Sequence, residues 1–118
     1  MAAWLILEVE LHFNQKLKPI TSEYRADLQA EGAKTYYGMH FVGAPSIINP
    51  GECQKLQMIL RAFPEDACAD FQVGKKVFLK EGPFLVRAEG TVLQRFERES
   101  SAKTITQLAI ELESQAPT

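Results

Sequence analysis

Cysteine is scarce in this chain: Cys53 and Cys68 are the two in 118 residues, and neither belongs to a CxxC pair. That spacing excludes the zinc and redox motifs built on paired cysteines, and the count is too low for a secreted disulfide scaffold. A reducing compartment, the cytoplasm, is the expected location. Long apolar runs are missing as well, since no window approaches the roughly 18 to 20 residues of a membrane helix. The opening MAAWLILEVELHF is interrupted by Glu8 and Glu10 and has no basic residue ahead of its apolar stretch, unlike a targeting segment. Neither sign of charge dominates. With a formal charge of −2 and a pI near 5.7, duplex DNA is an unsuitable partner. A GxxxxGK(S/T) phosphate loop, internal repeats and low-complexity tracts are also absent.

What is present is the composition of an ordinary folded domain, 46% hydrophobic and 24% charged, long enough to bury a core without metals or disulfides. Leu5, Leu7, Val9, Leu11 and Phe13 alternate with Glu8, Glu10 and His12, the period of a half-buried strand. SEYRADLQAEG alternates too, with Tyr24, Ala26, Leu28 and Ala30 on one face. Its residues also suit a helix capped by Ser22 and stopped by Gly32, but strand is the favoured reading. In TYYGMHFVG, Tyr37, Met39 and Phe41 oppose Tyr36, Gly38 and His40, and the mid-strand glycine predicts curvature. Asn49-Pro50-Gly51-Glu52 has turn chemistry. After it, Leu56, Met58, Leu60 and Ala62 alternate with Lys55, Gln57, Ile59 and Arg61, before Pro64-Glu65-Asp66 breaks the pattern. FLKEGPFLVRAEGTVLQRF folds as a hairpin about Glu81-Gly82-Pro83, with Val86, Ala88, Gly90 and Val92 on one face. Gly90 is expected where the strand bends or meets another backbone. Ile105, Leu108, Ala109 and Leu112 recur at helical spacing, although Thr104-Ile105-Thr106 leaves a final strand open.

Short strands with turn signals and one apolar face predict an all-β, mostly antiparallel barrel over residues 1–98, with a short C-terminal helix or tail over 99–118. The order of features resembles the C-terminal β-barrel domain of bacterial elongation factor Tu, as a stand-alone domain. The resemblance runs from about Leu5 to Phe96 and rests on LILEVELHF, PITSEYRAD, SIINPGECQKLQMIL and FQVGKKVFLKEGPFLVRAEGTVLQRF. Pro19, Tyr24, Arg25, Pro50, Gly51, Glu81, Gly82 and Gly90 fall at the family's positions. Ala26 stands where the family has proline. The chain also has no room for a GTP-binding domain, so no GTP is expected. In that family the barrel docks other macromolecules and performs no chemistry, which implies a binding module here.

Candidate sites fit the same expectation. Glu8, Glu10 and His12 share a strand face and could ligate a metal only with a further ligand such as His40, so a solvated face and no metal are expected. Nothing in the sequence brings His12 or His40 to Cys53 or Cys68, and no enzyme and no cofactor are expected. Lys75, Lys76 and Lys80, with Arg87, Arg95 and Arg98, make the closing half the most basic part of the chain. Phe78 and Phe84 beside them would either serve single-stranded RNA or lie in the core. The partner-binding set is therefore Tyr24, Arg25, Lys75, Lys76, Lys80 and Arg87. A protein partner is favoured, in the manner of an inhibitor or a small immunity protein, and a translation-related RNA contact is the alternative.

Overall fold

The computed structural model describes residues 2–15, 18–21, 24, 26–60, 69–82 and 85–115. Its strands are β1 (Ala2–Phe13), β2 (Ile20–Thr21), β3 (Asp27–Ala30), β4 (Tyr37–Val42), β5 (Ile47–Ile48), β6 (Cys53–Leu60), β7 (Lys76–Glu81) and β8 (Leu85–Ser100), followed by helix α1 (Ile105–Gln115). Six of them close into an antiparallel barrel in the order β1-β6-β4-β3-β7-β8, while β2 and β5 pair separately. The expected all-β barrel with a short C-terminal helix is the fold observed. The ambiguous segment at 22–32 contributes strand β3, and β8 carries the barrel on to Ser100.

Alternation explains which residues fill the barrel. Leu5, Leu7, Val9, Leu11 and Phe13 of β1 point inward and meet Leu56, Met58 and Leu60 of β6, Met39 and Phe41 of β4, and Val77 and Leu79 of β7, all buried. A second, smaller core lies outside the barrel wall. There Ile6 and Ile59 are fully buried beneath Leu108 and Ala109 of α1, with Trp4, Val42, Ile105 and Leu112 packed around them. Ile59 and His40, which alternation assigns to a polar face, are buried because the helix covers that face. Ser100 anchors this arrangement: its hydroxyl donates to Glu111 Oε2 at 2.6 Å and accepts from the Ala102 N–H at 3.0 Å.

One further expectation needs correcting. Register irregularities fall between Glu8 and Val9 and between Leu79 and Lys80 along β8. The second of these changes the phase of β8: Leu79 pairs with Ala88 but Lys80 pairs with Val86, leaving Arg87 as the extra residue. Val86 therefore turns outward with Lys80 and does not share the inner face of Ala88 and Val92. The hairpin turn itself is as expected, with Gly82 at φ 71°, a conformation that costs glycine little. Arg25, Arg61, Pro64-Glu65-Asp66, Cys68 and Phe84, with the readings placed on them, lie outside the described residues.

Candidate functional site

The helix divides the outer wall of the barrel into a covered half and an open half. On the open half, antiparallel register aligns Cys53 of β6, His12 of β1, Glu89 of β8, Phe78 of β7 and Gln29 of β3 in one continuous row. Side chains directly opposite in register point to the same face, so Phe78 belongs to the outer wall and not to the core. Lys76 and Lys80, two residues to either side of it, project the same way. Their ammonium groups lie 5.4 and 5.9 Å from the Phe78 ring centroid, and Lys80 is also 5.4 Å from that of Tyr36. Each such contact contributes on the order of 0.5 to 1 kcal/mol at an exposed site. The lysines are thus held beside the ring.

Next to Phe78 the wall is hollowed into a groove of about 570 Å³ lined by His12, Phe13, Asn14, Val86, Ala88 and Glu89 among others. The outward turn of Val86 helps to form it, since the residue would otherwise fill barrel interior. One of the two lysines has a charged partner at the groove. Lys76 lies 3.9 Å from Glu89, and Lys80 faces Asp27 across the β3–β7 ladder. Of the two lysines, Lys76 thus has a carboxylate within ion-pair distance, on the other strand of the same hairpin.

The remaining members of the expected binding set are placed differently. Tyr24 donates its hydroxyl to Glu81 Oε2 at 2.8 Å, and the Arg87 guanidinium lies 5.1 Å from the Tyr24 ring centroid and 3.6 Å from the same carboxylate. Arg87 also donates to the Lys18 carbonyl at 3.1 Å, with only 11% of its side chain exposed. These contacts clasp the segment before β3 to the β7–β8 turn. Burial first, then the hydrogen bond to Glu81 and its negative charge, push the Tyr24 phenol well above its ordinary pKa, with Arg87 opposing in part. Lys75 is separate again, lining a shallow depression of about 230 Å³ with Glu31 and Asp70. Within the set the structure therefore brings together two pairs, Lys76 with Lys80 beside Phe78 and Tyr24 with Arg87 in the clasp.

Among the described residues no group of three or more His, Cys, Asp or Glu is arranged to hold a metal ion. His40 sits on β4 in the row that contains Ile59 and Ile6, away from Glu10 and His12. The carboxylate of Glu52 closes the turn after Pro50. The Asn49 N–H, the Asn49 amide and the Gln54 amide all donate to it, and in that order they hold its pKa below the usual range. Its role is structural.

Pro50, Gly51, Glu81, Gly82 and Gly90, which carry the family resemblance, serve turns, the clasp and close strand packing. No family profile matches the chain, and no curated protein does. The described helix is too short and polar to cross a membrane. Sequence reading missed the row from Cys53 to Phe78, because the pairing of β6, β1, β8 and β7 joins residues far apart in the chain. The signal that was available is phase: each of the four lies at an outward position of its own strand.

Proposed function

We propose that this chain is a non-catalytic module that binds another protein through the open half of its outer wall. The observation that carries the reading is the groove beside Phe78, a partly exposed aromatic flanked by Lys76 and Lys80 and bordered by Glu89. Aromatic anchors rimmed by polar groups are the usual centre of protein interfaces. Barrel closure leaves the six main strands no free edge, so recognition uses side chains and not strand addition. The pairing of Lys76 with Glu89 favours protein over nucleic acid, because a carboxylate beside a lysine reduces the counterion release that drives RNA binding. The resemblance to the elongation factor Tu barrel supports the same role, in the cytoplasm, as a stand-alone translation-related docking domain or as an inhibitor of immunity type.

RNA binding is the second reading, and the solvent-facing Phe78 between two lysines, with Tyr36 close by, is what favours it. Recovery of the tagged full chain from lysate of its source organism separates the two. The protein reading expects a nuclease-resistant partner that is retained at moderate salt, lost with Phe78→Ala and kept with Ile110→Ala on the exposed face of α1. Nuclease-sensitive recovery that falls steeply with salt would establish the RNA reading instead.

A further inference from the structure

Lys76, Phe78 and Lys80 alternate along the outer face of β7, about 7 Å from one to the next, yet both ammonium groups lean over the same ring, 5.4 and 5.9 Å from the Phe78 centroid. Like charges gathered in this way repel, and each is stabilised by a counter-charge. Lys76 has one in Glu89 at 3.9 Å. Lys80 has none: among the described residues it joins no ion pair and donates no hydrogen bond, and Asp27, opposite it in register, lies beyond ion-pair distance. Its ammonium is turned instead toward two aromatic rings, Phe78 and, at 5.4 Å, Tyr36. Rings attract a cation without taking up its three N–H donors. Val86 stands opposite the half-buried Lys80 and faces outward with it. Since Phe78 and Val86 both line the groove, the unpaired ammonium stands at one end of an apolar strip, with the Lys76–Glu89 pair toward the other.

We propose that the groove takes an acidic peptide segment of the partner protein, with an apolar side chain seated on Phe78 and Val86 and the carboxylate of a neighbouring Asp or Glu bound by Lys80. The inference rests on the groove being the docking surface and adds the chemistry of what docks there. A carboxylate is the acceptor that an unpaired ammonium lacks, and the hydrogen bond between them is charge-assisted. Two rings already hold the head of the lysine, so less side-chain freedom is lost when the ligand arrives. The strip beside it gives the apolar neighbour a place to be buried, and its volume of about 570 Å³ falls within the range of pockets that hold ligands. A nucleic acid strand fits less well. It would bring one phosphate per nucleotide, and beyond Lys80 these would meet Glu89, already paired with Lys76, and Asp27 across the ladder. A single carboxylate is matched to Lys80 alone.

Selection from a random dodecapeptide library on the immobilised full chain tests this without presupposing a partner. Enriched sequences should carry Asp or Glu beside a large apolar residue. A synthetic peptide of the enriched sequence, followed by fluorescence anisotropy, should bind Lys80→Gln about tenfold more weakly or worse, as for loss of one hydrogen bond to a charged group. Lys75→Gln, in the separate depression, should bind it as the original chain does. Lys80→Glu should reject the peptide and accept its counterpart with Lys in place of the acidic residue, an exchange that a merely structural role for Lys80 would not produce. A library that yields no sequence, enriched peptides without acidic residues, or an affinity indifferent to Lys80→Gln with an unchanged circular dichroism spectrum would overturn the proposal. Binding of an octauridylate that depends on Lys80, with no peptide enriched, would establish the RNA reading in its place. Peptide binding lost with Phe78→Ala but kept with Lys80→Gln would leave the groove as the docking surface and refute only its acidic chemistry, whereas binding kept in both would refute the groove as well.

Discussion

Gly90 of β8 lies against the backbone of Glu10 so closely that a Cβ placed on it would sit 1.7 Å from the Glu10 carbonyl oxygen and 2.7 Å from its carbon. No rotamer can relieve that overlap, because the obstructing atoms are main chain. The glycine is required by space at the place where β8 is pressed between Leu11 of β1 and Val77 of β7. Gly90→Ala should therefore destabilise the barrel by about 4 kcal/mol or more, read as a lower urea midpoint or as failure to fold. A variant with an unchanged midpoint would mean that the strands do not approach in this way.

The clasp between Tyr24, Glu81 and Arg87 should show coupling that its members do not show singly. Tyr24→Phe removes one hydrogen bond that is exposed to solvent and should cost about 0.5 to 1.5 kcal/mol. Arg87→Ala should cost more, since it also loses the ring contact and the bond to the Lys18 carbonyl. A double-mutant cycle by denaturant unfolding should give a total smaller than the sum of the two single effects. Additive losses would show that the two side chains act independently.

Acid should loosen the helix before it unfolds the barrel. The Ser100 hydroxyl, and after it Arg98 at 3.4 Å, hold the Glu111 carboxyl below its ordinary pKa. The folded state therefore binds this proton less readily than the unfolded chain does. The contribution of Glu111 is fully present above the ordinary carboxylate range and is lost as the pH falls through the lower, folded-state value. Trp4, the single tryptophan, packs against the core beneath α1, so its emission should shift to the red in that range, and Glu111→Gln should show the shifted emission already at neutral pH.

Packing holds the helix more strongly than that carboxylate. Leu108 is fully buried against Ile6 and Ile59, and Leu108→Ala should cost about 2 to 5 kcal/mol. The loss should be concentrated in hydrogen-exchange protection of α1 and around Trp4, with amides of β7 and β8 at Phe78 to Ala88 close to their original protection. Uniform loss across the barrel would show that helix and barrel unfold as one unit.

Much of this architecture was legible before folding was considered. The period-two pattern of β1 and β6 named their inward residues, the turns at Asn49 to Glu52 and Glu81 to Gly82 were visible in their residue chemistry, and Leu108 and Ala109 marked the buried face of α1. Those signals are local. Burial of Ile59 and His40 was not legible, because alternation describes a strand with one wet face and cannot announce that a distant helix will cover the other. The outward position of Val86 was hidden for a related reason, since a bulge changes the phase of a strand without changing its composition.

The candidate site shows the same division. Lys76, Phe78 and Lys80 alternate within one strand, so their common face was implicit in the sequence, but whether that face was core or solvent was not. Closure of the barrel decided it, by assigning Val77 and Leu79 to the interior and pairing Phe78 with exposed Glu89. By itself the sequence determined the alternating strands β1 and β6, the turns at Asn49 to Glu52 and Glu81 to Gly82 and the even balance of charge, since each depends on neighbours within a few residues. Only the tertiary structure decided the clasp of Tyr24 by Arg87, the approach of Lys76 to Glu89, and the row of Cys53, His12, Glu89 and Phe78. Those depend on register between strands brought together by burial of apolar surface, a force that has no direction along the chain.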